Sequence, residues 1–382
     1  MSIKFEVPYN GDSKLVDFYK ENAERISWVY GRAEDKFPQG RDTSKSRPVS
    51  IEDIEKEVPH LRDSGIGFNY LLNGTNQGNR EFNLGYRRKF VSFVKDLAAR
   101  GIRGVTIGNP FLMETVREKV PEIEIFASIL LEVDNLARLE QIIRAGADYV
   151  CLSKTLLKNF EGLERIAKFA RDKTKLVLLA NDPCLHHCAY TGYHNMTLSE
   201  FTSSGGDYVN YCRMHCNQDF ASDARKVISA SFIRPEDLGA YEELGFVFFK
   251  LCERKQTTDW ITNAVRAYFQ RSYNGDLSDI MAPWSNIGQR YPDPKALEES
   301  DLAEGFDKIR ANIRFQPSIS NPALDGYLDY WRKIKRNGCS NEDCDACNYC
   351  AEIAKKAYLP REGKNQTIVK NLDLAMRAAR KT

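Results

Sequence analysis

Ala240-Tyr-Glu-Glu-Leu-Gly-Phe-Val-Phe-Phe-Lys-Leu-Cys-Glu-Arg254 decides how the chain closes. Pro235-Glu-Asp-Leu upstream reads as the first turn of a helix and Gly245 as its stop, so Phe246–Leu251 is a strand. It is the eighth such run. Working back, the other seven are Lys4–Val7, Ile26–Tyr30, Gly67–Leu71, Val105–Ile107, Ile123–Ala127, Asp148–Leu152 and Leu176–Leu179. Amphipathic stretches lie between them, as in Tyr86–Arg100, where Phe90, Phe93, Val94 and Leu97 share one helical face. Gly101 and Gly146 stand where a helix end takes a left-handed cap. This alternation predicts an α/β fold of parallel strands with crossover helices. Eight strands over roughly 250 residues match a (β/α)8 TIM-like barrel. An open doubly wound sheet shares the alternation and is the alternative.

The barrel is expected to occupy residues 1–255, with a metal-binding insertion at 181–226. A helical arm follows over 256–320, in which Trp260, Ile261, Val265, Tyr268 and Phe269 form a core face ending near Asn274-Gly275. Ala282–Asn321, richer in Pro, Asn and Ser, reads as a connector. Leu328–Ile334 reads as a helix inside a C-terminal cysteine-cluster segment at 321–382.

The chain of 382 residues carries 55 Lys and Arg against 53 Asp and Glu. A net charge of +2 indicates neither a nucleic-acid tract nor an acidic partner, although a local basic patch for RNA can hide in a balanced total. The opening Met-Ser-Ile-Lys-Phe-Glu lacks the apolar core of a signal peptide. No run approaches the roughly 18 apolar residues of a membrane span. A cytoplasmic location is expected, where ten cysteines stay reduced and serve metal chemistry rather than disulfides.

Barrels carry active groups at the carboxyl ends of their strands. Glu6, Tyr30, Arg32, Asn69, Asn73, Asn109, Ser128, Asn181, Asp182, Lys250 and Glu253 are therefore expected around one mouth. Cys184 follows the seventh strand closely. Cys184 and Cys188 form one C-x3-C, Cys212 and Cys216 a second, and 23 residues separate the pairs. Four of the five histidines, His186, His187, His194 and His215, fall in the same region. Four thiolates on one point suit an iron–sulfur cluster or tetrahedral zinc. Closing the intervening loop costs about 3 kcal/mol, against roughly 10 to 16 kcal/mol from thiolate-rich metal binding. The metal can fold the segment around itself.

Cys339, Cys344, Cys347 and Cys350 form C-x4-C-x2-C-x2-C. Close intervals of three resemble ferredoxin loops, whose cysteines take adjacent corners of a cubane. Zinc is the alternative there, although its ribbons hold two knuckles well apart. Cys151 and Cys252, at strand ends, read as small buried apolar residues. Lys250, Glu253 and Arg254 read either as a solvated rim ion pair or as charged groups beside a buried centre. No G-x-S-x-G elbow, H-E-x-x-H helix, Walker loop or G-x-G-x-x-G appears. Position 191 is Thr191, which excludes the C-x3-C-x2-C triplet of radical S-adenosylmethionine enzymes.

Cys184–Asn195 (Cys-x3-Cys-Ala-Tyr-x3-His-Asn), Tyr211–Cys216, Phe232–Leu238 and Phe249–Arg254 resemble the bacterial collagenase-like peptidase U family. Phe68–Asn73 and Cys344–Cys350 resemble a branch of it. Some members are called proteases; others are iron–sulfur proteins that support oxygen-independent hydroxylation of quinone precursors or RNA bases. The resemblance implies that Cys184, Cys188, Cys212 and Cys216 hold a four-iron, four-sulfur cluster at the barrel mouth, flanked by His194 and Asn195. Glu253-Arg254 replaces the usual Glu-Gly-Arg, and the C-terminal cysteine motif lies outside the usual plan. The expectation is an enzyme with two such clusters acting on a small molecule, RNA base or peptide, with His194, Asn195, Lys250, Glu253 and Arg254 as catalytic candidates. An electron donor or partner subunit is expected to serve it. A metal-dependent peptidase and a non-catalytic iron–sulfur subunit are the alternatives.

Overall fold

The computed structural model describes residues 2–35, 37–40, 47–204, 211–284, 315–333, 339, 343–360, 363–378 and 380. Eight parallel strands close into a barrel in sequence order: β1 (Lys4–Pro8), β2 (Ile26–Gly31), β3 (Gly67–Leu72), β4 (Gly104–Ile107), β5 (Glu124–Ala127), β6 (Tyr149–Cys151), β7 (Lys175–Leu179) and β8 (Phe248–Lys250). The open-sheet alternative is thereby set aside. β8 joins the two edges, with Phe248 facing both Val177 of β7 and Lys4 of β1. It is shorter than Phe246–Leu251 because Gly245, at φ +95°, turns the chain and Phe246 N–H bonds back to the Tyr241 carbonyl.

Alternation along the strands sorts side chains to two faces. Outward residues such as Val7, Val105, Ile125 and Leu178 pack against the helices. Inward, Trp28, Phe126, Tyr149, Val177 and Phe248 form a separate cluster. Phe126 and Tyr149 stack at 4.1 Å, and Trp28 meets Phe126 edge-on at 4.9 Å. Gly67 and Gly104 make room for this filling: a Cβ on Gly67 would lie 2.4 Å from the Trp28 ring. Above the aromatic layer the inward positions become polar, with Glu6, Asn69, Thr106 and Lys250.

Asparagine starts several of the helices. Asn83, Asn109, Asn135 and Asn159 each accept a backbone N–H at the following helix's N-terminus. The arm begins with helix Thr258–Gln270, which ends at Arg271 in a left-handed conformation, short of the expected Asn274-Gly275. Most of the expected connector Ala282–Asn321 lies outside the described residues. The helix expected at Leu328–Ile334 is Asp329–Lys333, and two more follow at Tyr349–Ala357 and Lys364–Ala378. These do not stand apart. Tyr349–Ala357 packs on Ala224–Ser229, and Lys364–Ala378 on Tyr211–Ser222. Among the described residues no helix is long and apolar enough to cross a membrane.

Candidate functional site

The carboxyl ends of the strands open into a cavity lined by Glu6, Tyr30, Asn73, Ser128, Lys250 and Glu253, with Arg254 and Cys252 at its edge. The Lys250 ammonium lies 2.8 Å from the Glu6 carboxylate and 3.8 Å above the Tyr30 ring. Asn69 donates to Glu6 at 2.8 Å and accepts from Thr106 at 3.0 Å. The charges are thus paired and held by neutral partners, as buried ions must be. Three residues expected around the mouth are used elsewhere. Asn109 caps helix Pro110–Lys119 and donates to Glu81. Asn181 straps β7 to Cys252 and Ile280. Arg32 holds the 35–38 loop through Asp35 and the carbonyls of Phe37 and Pro38. Burial pushes the Cys151 thiol up to about 12, consistent with a small apolar wall residue.

A second cavity, enclosing about 150 Å³, shares Ile129 and Leu130 with the mouth. Cys184, Cys188, Cys212 and Cys216 all line it, together with His194 and Asn195. The first pair comes from the loop after β7. The second lies one turn apart on helix Tyr211–Ser222, a spacing that puts both thiols on one face. Burial raises the Cys188 thiol, pushes Cys212 up to about 11 and Cys216 up to about 12. Burial thus favours the neutral form of these three thiols.

Lys154 carries a charge to this wall, a residue for which the sequence offered no motif. Its ammonium lies 2.7 Å from the Cys184 sulfur and 2.8 Å from the Asp182 carboxylate. Burial opposes that charge, but Asp182 and Cys184 outweigh it and hold the pKa above the usual lysine value. Asn195 is 9% exposed, and its side-chain amide nitrogen has no hydrogen-bond partner among the described residues. An unanswered donor on the wall suits a ligand with an acceptor. His215 faces elsewhere, between Tyr190 at 4.8 Å and Tyr211 at 4.7 Å.

The tail cysteines also gather. Burial pushes Cys350 up to about 11, and the neighbouring Cys339, Cys347 and Cys344 add to the rise. Cys344 and Cys347 face solvent, whereas Cys339 and Cys350 are half-buried. Beneath them Lys158 is buried, donating to the carbonyls of Ile228, Ser229 and Ala230, with its ammonium 4.8 Å from the Trp331 ring. Burial pulls its pKa down to about 8, against the pull of Cys350 and Cys339. Tyr330 Oη lies 3.0 Å from the Cys347 sulfur.

Among the described residues no three His, Cys, Asp or Glu side chains come close enough together to hold a single metal ion. A four-iron cubane carries each thiolate on its own iron, so its four sulfurs spread wider. The four mouth cysteines, lining one cavity, match such a group in kind of donor and number.

No family model matches the chain. Over 327 residues, 84% of this chain and 86% of the relative, it is 23% identical to a Methanocaldococcus jannaschii protein named uncharacterized protease MJ1657. Among solved structures it resembles the U32 peptidase Mk0906, at TM-score 0.49 and 16% identity over 66% of this chain and 93% of that one. Phosphoribosylanthranilate isomerase from Thermotoga maritima aligns at TM-score 0.38 and 12% identity over 70% of this chain and 99% of that one. The curated relative is matched along most of both sequences.

Proposed function

We propose that the chain is an iron–sulfur enzyme of the collagenase-like peptidase family that modifies a small molecule, an RNA base or a peptide at the barrel mouth, without molecular oxygen. The observation that carries this reading is the sharing of one cavity by Cys184, Cys188, Cys212 and Cys216, next to a polar mouth. A four-iron group on these thiolates would supply electrons or a Lewis-acidic iron. The remaining work falls to side chains. Asn195 donates a hydrogen bond to a substrate acceptor, and His194 on the same helix carries a proton to or from it. Lys154 balances negative charge at Cys184. Lys250 and Glu6 present a fixed cation and anion that orient a polar substrate in the mouth. Glu253 and Arg254 border that space.

Anaerobically purified protein is expected to be brown, with about eight iron and eight sulfide per chain. Zinc in their place would sink the reading. The relative's name favours a second reading, a peptidase that activates water on a metal. That reading predicts peptide cleavage that is lost on removal of a mouth cysteine from a folded protein.

A further inference from the structure

The loop between Cys184 and Cys188 does more than carry two thiols. His187 adopts φ +52°, a left-handed conformation uncommon for a residue with a Cβ. With that turn two successive imidazoles reach one acceptor: Nε2 of His186 lies 3.0 Å and Nε2 of His187 3.1 Å from the Cys339 carbonyl oxygen. A carbonyl only accepts, so both rings donate from Nε2. The rings stand 4.1 Å apart, and Nδ1 of His186 is left to face the Ser231 hydroxyl at 3.5 Å. One member of the tail quartet is thus tied to the segment that joins two members of the mouth quartet. The surroundings make the same connection, since Arg225 pairs with Asp345 and helix Lys364–Ala378 lies on the helix of Cys212 and Cys216. The two quartets differ in access: Cys344 and Cys347 are exposed, Cys212 and Cys216 buried.

We propose that His186 and His187 couple the two cysteine quartets into an inward relay, holding Cys339 against the Cys184–Cys188 loop so that an electron accepted outside at the tail quartet passes to the buried mouth quartet. The proposal rests on the iron–sulfur reading and gives the expected electron donor a class and a point of entry: a low-potential one-electron donor protein of the flavin or iron–sulfur class, docking at the tail. In each transfer the donor loses one electron to the tail, the tail then loses it to the mouth, and no bond to the chain forms or breaks. His186 and His187 are positioning residues here.

The test is electron paramagnetic resonance on the full chain, reconstituted under anaerobic conditions and reduced with dithionite. Wild-type protein is expected to show a spin–spin splitting of the same size at two microwave frequencies, as interacting centres do. That splitting should be lost in the variants Cys344→Ala/Cys347→Ala and Cys212→Ala/Cys216→Ala, each left with one centre. In rapid-freeze samples the tail signal should decay as the mouth signal grows. In His186→Gln/His187→Gln, with iron content unchanged, the tail signal should persist. A wild-type spectrum without field-independent splitting, or unchanged transfer in the histidine variant, would overturn the relay and leave the iron–sulfur reading standing. Protein without iron and sulfide would overturn both.

Discussion

Lys154 contacts both the Cys184 sulfur, at 2.7 Å, and the Asp182 carboxylate, at 2.8 Å, so one half-buried ammonium ties the segment after β6 to the loop after β7. Removing it takes the ammonium partner away from Asp182, whose side chain is 6% exposed. Lys154→Met is expected to destabilise the protein by about 3 to 5 kcal/mol in urea unfolding. Adding Asp182→Leu should recover much of that loss, and additive effects in the double-mutant cycle would show that the pair does not interact.

The mouth pair should behave the same way but with a functional consequence. Lys250→Met leaves Glu6 with Asn69 as a neutral partner. We expect a loss of about 3 kcal/mol, together with loss of substrate binding. Lys250→Met/Glu6→Leu should regain stability without regaining binding, a split that calorimetry with substrate would reveal.

His194→Ala and Asn195→Ala are expected to stay folded, since the Asn195 amide nitrogen has no partner among the described residues. Thermal unfolding should shift by no more than about 1 kcal/mol in free-energy terms for Asn195→Ala, with iron content retained. Turnover should collapse. Full activity in either variant would remove that residue from the site.

Lys158 gives a pH signature on the iron-free protein. Its pKa falls from the usual 10.5 to about 8 through burial. Below pH 8 the ammonium is charged in both folded and unfolded chains. Between about 8 and 10.5 the folded group has lost its proton while the unfolded one keeps it, so stability rises with pH across that window. Relative to Lys158→Met, the wild type should gain on the order of 3 kcal/mol there. A flat difference would show that the ammonium stays charged beneath Trp331.

Gly67→Ala probes the barrel filling, because its Cβ would press on Trp28. The expected cost is about 1 to 3 kcal/mol, read as a lower melting temperature. Gly65→Ala, where nothing lies within 4 Å, is the contrast for crowding, although its φ of +77° carries backbone strain of its own.

All eight strands were legible because a parallel strand buried on both faces is mostly apolar, and Gly245 marked the end of the helix before the last one. The two C-x3-C pairs could be read from their spacing, whereas their sharing of one cavity belongs to tertiary packing. Lys154 and Lys158 were not legible, since a lysine that turns inward from a single 3-10 turn obeys no period and carries no motif. The misplacement of Arg32, Asn109 and Asn181 has a different cause. A strand's carboxyl end is also where the next helix begins, so a polar residue there serves equally as a cap, a strap or an active group, and only its partners tell which. The His186 and His187 contacts with Cys339 span about 150 positions of sequence and belong to tertiary packing.

The packed rings of Trp28, Phe126 and Tyr149 turn the barrel into a cul-de-sac. With its axis blocked there, the mouth has Ile129 and Leu130 as a party wall with the cysteine-lined cavity, so whatever sits in one compartment lies next door to the other.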